Sequence, residues 1–519
     1  MSSICSKLPT FVYAPRSGFF ALFTVLATGM SRFTSLFLRE RHLDDSQVGI
    51  ALGVSSLSFI ATPFFTAFAD QYSKDRTTAL LTMTFVGLML VLAQSMVDFN
   101  LVGAAAAPVF LTLNRLLISS ALAPQSPVLD ALAVEGNLHV ENYGSERLWG
   151  AVSWGVVHLV MGGLIDVAGG TYVIYYMTIA ASIFYCSLLL LWRKRQEREE
   201  EKKKMVVEAE EEEGEAEAEA EAEAEEEEKV VEKVVVMVGQ KEGDKERAAT
   251  TATTATTTAT TATTAAAESI VHSPSSRQSI TLCHLLKSQF QFVFSRPDIT
   301  FFLIDIFLLS AGTSIVEGLL FLFFVTTLNA SNLLLGMTVV MTVLFEIPLF
   351  ALSDKILTKF STTQLIVVAH VAYVVRVFGY TFIPDNAPAL VLLFEPLHGV
   401  TYALKQMVSV TLLAKYAPHG FKNSAQGVVT TAARLGGFTG SIVGGFVLKY
   451  QGPTFLYRGA GILVACAGIL FVCSDQYYSS EKKNGGRGSR SSVVGAEATA
   501  SMYQELSEVQ GKGDDDNTT

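Results

Sequence analysis

Long apolar runs constrain this chain more than anything else, because each is close to the roughly 20 residues that an α-helix needs to cross a bilayer core. Candidate spans fall near 17–38, 47–69, 78–97, 102–123, 147–165 and 171–192. After a long hydrophilic insertion come 299–326, 332–352, 363–383, 389–413, 424–447 and 454–474. The pattern predicts an all-α membrane protein of about twelve helices, six on each side of the insertion. Pro124 and Pro127 leave open whether the fourth span ends or kinks there.

Composition agrees. Half of the 519 residues are hydrophobic and only 17% are charged, against roughly a quarter in soluble domains. The net charge of −11 reflects an acidic run from Glu197 to Glu228 rather than a binding face. Cys5, Cys186, Cys283, Cys466 and Cys473 have no metal-ligand spacing, and a disulfide framework is not expected. No short apolar core with a small-residue cleavage site precedes Arg16, so the first apolar run is expected to remain as a helix. No phosphate-binding glycine loop and no nucleophile context stand out, which argues against an enzyme. Gly436-Gly437 and Gly444-Gly445 read as close helix packing. No cofactor, metal or nucleic acid is implied.

The expected organisation is a cytoplasmic N-terminus (1–16), a first half (17–192), a loop (193–280), a second half with a preceding amphipathic segment (281–475) and a tail (476–519). The loop alternates Glu and Ala from Glu215 to Glu225, then turns to Thr and Ala from Ala248 to Ala267. Neither tract can bury a core, so the loop reads as disordered linker, with a docking or phospho-regulated role as the alternative. The stretch Ser279 to Phe294 reads as an amphipathic surface segment, and the tail as disordered.

Orientation follows the bases in short loops. Lys7, Arg16, Lys74, Arg76, Lys355, Lys359, Lys415 and Lys422 fall on one side, while Asp98, Asp166 and Asp385 mark the other. Arg39 and Arg41 are the exception. Both termini and the central loop are therefore expected in the cytoplasm; plasma and internal membranes both remain open.

Two loops echo each other across the halves. Asp70, followed by Lys74 and Arg76, lies after the second span, and Asp354, followed by Lys355, lies after the eighth. An acid followed by bases at a helix end can act as a breakable latch, and its recurrence resembles the loop motif of the major facilitator superfamily.

Ionisable residues inside spans carry the rest of the signal. A charge at a helix centre costs roughly 2.5–3.5 kcal/mol on the insertion scale. Arg32, Asp130, Arg147, Asp305, Glu317, Glu346, Arg376, Glu395, His398, Lys405 and Arg434 lie in or near spans, so they must face water or pair. Arg32, Asp305 and Glu395 could equally snorkel or serve as structural pairs; Glu317, Glu346 and Arg376 lie too deep to snorkel. Glu395, His398 and Lys405 share one helix face, and a histidine among charges is a natural proton-sensitive element.

The run Tyr143-Gly144-Ser145-Glu146-Arg147-Leu148-Trp149-Gly150-Ala151-Val152-Ser153-Trp154 resembles the fifth helix of the lactose permease and related oligosaccharide:proton symporters. Phe394-Glu395-Pro396-Leu397-His398-Gly399 and Tyr457-Arg458-Gly459-Ala460-Gly461 are similar to the eukaryotic branch of major facilitator superfamily domain-containing protein 6 and its relatives. The resemblance covers nearly every span and skips the loop and tail. It implies sugar binding by Arg147, Trp154 and a carboxylate that matches Asp130, where the group more often has glutamate. It implies coupling by Glu317, Glu346, Arg376 and His398, with Glu395 and Lys405 on the same polar face. One departure matters: Thr401 stands where those symporters place their proton-carrying glutamate.

The expectation is a monomeric secondary transporter that couples protons to the symport of a small, polar, sugar-like solute by alternating access. The alternatives are an uncoupled uniporter or exchanger of nucleosides or other metabolites, and a non-transporting receptor or scaffold that works through its acidic loop.

Overall fold

The computed structural model describes residues 15–60, 76–135, 143–195, a few positions between 197 and 206, 297–416 and 422–484. The latch residue Asp70, the Glu/Ala and Thr/Ala tracts, the amphipathic stretch 279–294 and the tail beyond 484 lie outside the described residues.

In the first half the helices are α1 (Pro15–Gly29), α2 (Thr34–Glu40), α3 (Asp45–Ser56, extended by a 3-10 turn at Leu57–Ile60) and α4 (Arg76–Ala93). They continue as α5 (Ser95–Asp98), α6 (Ala107–Leu122), α7 (Gln125–Glu135), α8 (Tyr143–Ala168) and α9 (Val173–Arg195). In the second half come α10 (Pro297–Leu328), α11 (Asn332–Ala351), α12 (Ser353–Lys359), α13 (Thr362–Tyr380), a 3-10 turn at Pro388–Leu393, α14 (Pro396–Tyr416) and α15 (Lys422–Asn484). Among the described residues nine helical stretches are long and apolar enough to cross a membrane. One of them, Gly427–Tyr478, is interrupted at Gly452, whose φ of 81° lies in the left-handed region that glycine tolerates. That break falls between the spans expected at 424–447 and 454–474. At Pro124 the chain kinks rather than stops, since α7 resumes at Gln125.

Local chemistry sets several helix starts. The Asp44 carboxylate and the Gln47 side chain form a capping box at α3, and Ser361 does the same with Gln364 at α13. Ser331 caps α11 by accepting from the Leu334 N–H.

Lipid tails are as apolar as leucine, so packing and polar bonds rather than water exclusion hold such helices together. Phe85, Val109, Tyr176, Val371 and Ile469 point outward, whereas Phe33, Phe321, Phe324, Tyr380 and Tyr457 are fully buried. Across the halves, α8 packs on α11 and α3 packs on α15. A Cβ on Gly49 would sit 2.7 Å from the Gly445 Cα, so the α3–α15 crossing needs glycine on both sides. That agrees with the packing role read from Gly444-Gly445.

The basic exception at Arg39 and Arg41 is neutralised where it stands. Arg41 is buried, stacks on Phe37 and donates to Asp98 at 2.7 Å and to Tyr175 at 3.1 Å. Arg39 pairs with Asp45 at 3.3 Å. Of the cysteines, Cys186, Cys466 and Cys473 are free thiols.

Candidate functional site

The intramembrane charges gather where α1–α2, α10, α11, α13 and α14 meet. Arg32 follows α1, and one of its guanidinium nitrogens lies 2.8 Å from Nε2 of His398 on α14. The same imidazole nitrogen is 3.5 Å from Oε1 of Glu317, in the middle of α10. The other ring nitrogen of His398 is hydrogen-bonded with Arg376 of α13. One buried imidazole thus joins a base from the first half to a base and an acid from the second.

Arg376 is fully buried and in turn meets Glu395, at 3.2 Å, and the Tyr380 hydroxyl. Tyr380 donates to Glu395 at 2.5 Å, and Thr342 of α11 donates to the same carboxylate at 3.2 Å. Glu395 therefore receives three donors and has no exposure, which suits an ionised carboxylate locked in place. Snorkelling is ruled out for Glu395, and also for Asp305, which is 2% exposed and pairs with His370 at 2.9 Å.

Glu317 is different. Its side chain is 43% exposed although it sits mid-helix in an apolar span. Arg147, about one turn into α8, is 48% exposed. Glu346 lies within electrostatic reach of Arg32 and Glu317, and Lys405 within reach of Glu317 and Arg434. Tyr402 of α14, also exposed, feels Glu346, Glu317, Arg147 and Arg434 together. These side chains line one polar region shared by the two halves.

On the first-half side, Arg147 and Asp130 are brought together, with Nε 3.4 Å from Oδ1. Trp154 is half-buried, two turns further along α8, and its ring lies 4.7 Å from that of His158. His158 is fully buried, bonds through Nδ1 to the Trp154 carbonyl at 2.8 Å and accepts from the Arg32 backbone N–H at 3.4 Å. Thr401 holds no proton-carrying group: its hydroxyl donates to the carbonyls of Leu397 and Ala369. The latch residue Asp354 is exposed in the first turn of α12, and Arg76 opens α4.

Sequence reasoning missed Tyr380, His158 and His370. Tyr380 follows Arg376 by one helical turn, so i,i+4 spacing was the available signal. His158 follows Trp154 by the same interval.

One end of the bundle is closed by bonds between the halves. The Asp166 carboxylate, near the end of α8, accepts from the Asn332 N–H at 2.9 Å, the Asn332 side-chain amide at 2.8 Å and the Leu333 N–H at 2.7 Å. These are free donors at the start of α11, where a carboxylate is favoured. Lys449 of α15 pairs with Asp44, the N-cap of α3, at 3.0 Å.

No curated protein matches the chain. Among solved structures, a point mutant of the nucleoside transporter NupG superposes with a TM-score of 0.63 at 12% identity, over 88% of this chain and 98% of the other. A D-xylose-proton symporter gives 0.53 at 12%, over 89% and 96%. A POT family transporter in complex with a thioalcohol-conjugated peptide gives 0.54 at 12%, over 91% and 96%. At such identities the likeness establishes the fold. The family model described as MFS_1 like family matches residues 16–459. With that match, the helical fold and the charged centre between the halves, the chain belongs to the MFS_1 like family of the major facilitator superfamily, as a multi-pass membrane transporter and not an enzyme.

Proposed function

We propose that the protein is a proton-coupled symporter of a small, polar, sugar-like solute. The observation that carries this reading is the Arg32–His398–Glu317 contact, in which an exposed carboxylate and a base from the opposite half share one imidazole. Two opposite charges about 4 Å apart attract by about 1 kcal/mol in water and about 4 kcal/mol at an effective dielectric of 20. Glu317 also feels Arg32 of the first half, so protonating Glu317 weakens the attraction across the junction. This matches the coupling energies of about 1–3 kcal/mol that switch two-state proteins. Glu346, facing the same region, is the second acid that a proton can reach. Arg376, Glu395 and Lys405 hold the imidazole and the surrounding field in place.

Solute binding falls to Asp130 and Arg147, whose facing acceptors and fixed donors suit hydroxyl groups, with the Trp154 indole as an apolar face. Loading a proton and a solute would let the halves rock and break the closure at Asp166 and Asp44, exposing the site to the other side. Asp70, Arg76 and Asp354 would form the opposing latch. In this scheme the protein acts as a monomer with both termini in the cytoplasm.

An uncoupled nucleoside carrier is the second reading. Thr401 favours it, since its hydroxyl is spent on backbone carbonyls, and so does the likeness to a nucleoside transporter. Counterflow uptake into liposomes, with sugars and then nucleosides, tests the function. Saturable uptake of one class that is abolished by Arg147→Gln supports the site. Uptake unchanged in that variant removes Arg147 from it.

A further inference from the structure

A second buried acid–histidine pair lies outside the central network. Asp305 of α10 and His370 of α13 are 2% and 4% exposed, with Oδ1 2.9 Å from Nε2. His370 Nδ1 lies 2.8 Å from the Ile366 carbonyl, which can only accept, so Nδ1 carries a hydrogen. Nε2 then faces the carboxylate with either a lone pair or a proton. Apart from this mutual approach, neither Nε2 nor either Asp305 oxygen has a hydrogen-bond partner among the described residues. A buried charge needs a compensating partner, and one added proton makes the pair neutral overall.

We infer that Asp305 and His370 form a second proton-binding site, built into the packing of α10 against α13. Loading forms an N–H bond at Nε2, with Asp305 as the counter-charge; release returns the proton to water and leaves the carboxylate unbalanced. The surrounding charges are engaged elsewhere. On α10, Glu317 faces His398; on α13, Arg376 binds Glu395; on α14, Lys405 lies in reach of Glu317; on α15, Asp475 accepts from Thr363. Among the described residues, Asp305 is the charged group that acts on His370. The α15 backbone at Gly468 closes over the imidazole, where a Cβ would come within 2.9 Å of the ring.

One further buried group stands nearby in sequence, Tyr373. It lies between His370 and Arg376 on one face of α13, is fully buried, and its hydroxyl has no hydrogen-bond partner among the described residues. Use of the site in transport rests on the symport reading; the site as a proton store does not.

The test is a 15N spectrum of histidine-labelled protein at neutral pH, with the infrared carboxylic-acid band as its complement. Asp305→Asn and His370→Gln identify the signals. The inference expects either a doubly protonated His370 ring or a protonated Asp305, lost in both variants. A His370 ring bare at Nε2, together with no carboxylic-acid band assignable to Asp305, overturns it. Because wild-type protein without solute is measured, this result stands or falls independently of uptake. A change in protons moved per solute in Asp305→Asn would then tie the site to transport; an unchanged ratio would limit it to a proton store.

Discussion

The Arg32 guanidinium stands 2.8 Å from Nε2 of His398, although 366 residues separate them in sequence. The first half thereby touches the imidazole that the second half positions through Arg376 and faces with Glu317. Arg32→Gln is expected to cut transport at least tenfold while leaving the halves folded. Initial uptake rates against a thermal melt in detergent separate the two effects.

Arg376 and Glu395 are both fully buried, so removing one partner should strand the other. Breaking such a pair costs about 3–5 kcal/mol. Glu395→Ala should lower the melting temperature markedly. Replacing both residues by leucine should cost less than the sum of the two single changes, as a double-mutant cycle would report.

Asp166 bonds three donors at the start of α11. Loss of a comparable helix cap costs about 0.5–2 kcal/mol, so Asp166→Ala should shift the halves toward opening at this end by roughly 2- to 30-fold, taking about 1.4 kcal/mol as tenfold. Spin labels at the exposed positions Val167 and Leu393 should report a larger fraction of long distances.

Asp44 lies at the same end, outside the spans. Burial works against its charge, but the Ser46 hydroxyl, the Gln47 N–H and Lys449 outweigh it and lower its pKa from 3.8 to about 2. A depressed carboxylate stabilises the closed form fully above 3.8 and loses that contribution only as pH falls toward 2. Closure through Asp44 should therefore not vary between pH 5 and 8, so pH dependence in that window belongs to other groups. Lys449→Ala should change the spin-label distances slightly, and salt should erase the difference, as for exposed pairs. Asp44→Ala should do more, since it also removes the α3 cap.

Much of the fold was legible because a bilayer imposes one length on every crossing, and apolar runs of that length are visible in the sequence. Boundaries blurred where the chain bends without leaving the helix, as at Pro124. The break at Gly452 was legible from the gap between the last two spans. For the site, the residue types were legible and the pairings were not. Asp130 and Arg147 meet across two helices, and Trp154 lies against His158, a contact that required the helix itself. Glu395 stood out as a misplaced charge, but its lock by Tyr380 depends on two elements 15 residues apart. His370 gave no signal alone, since its partner Asp305 lies 65 positions earlier.

The most direct test of the account is proton movement in sealed liposomes on addition of the transported solute, for wild type and Glu317→Gln. The account predicts a solute-dependent proton influx in wild type, and in the variant solute binding or exchange without proton movement. Wild-type uptake with no accompanying proton movement would contradict it and leave an uncoupled carrier.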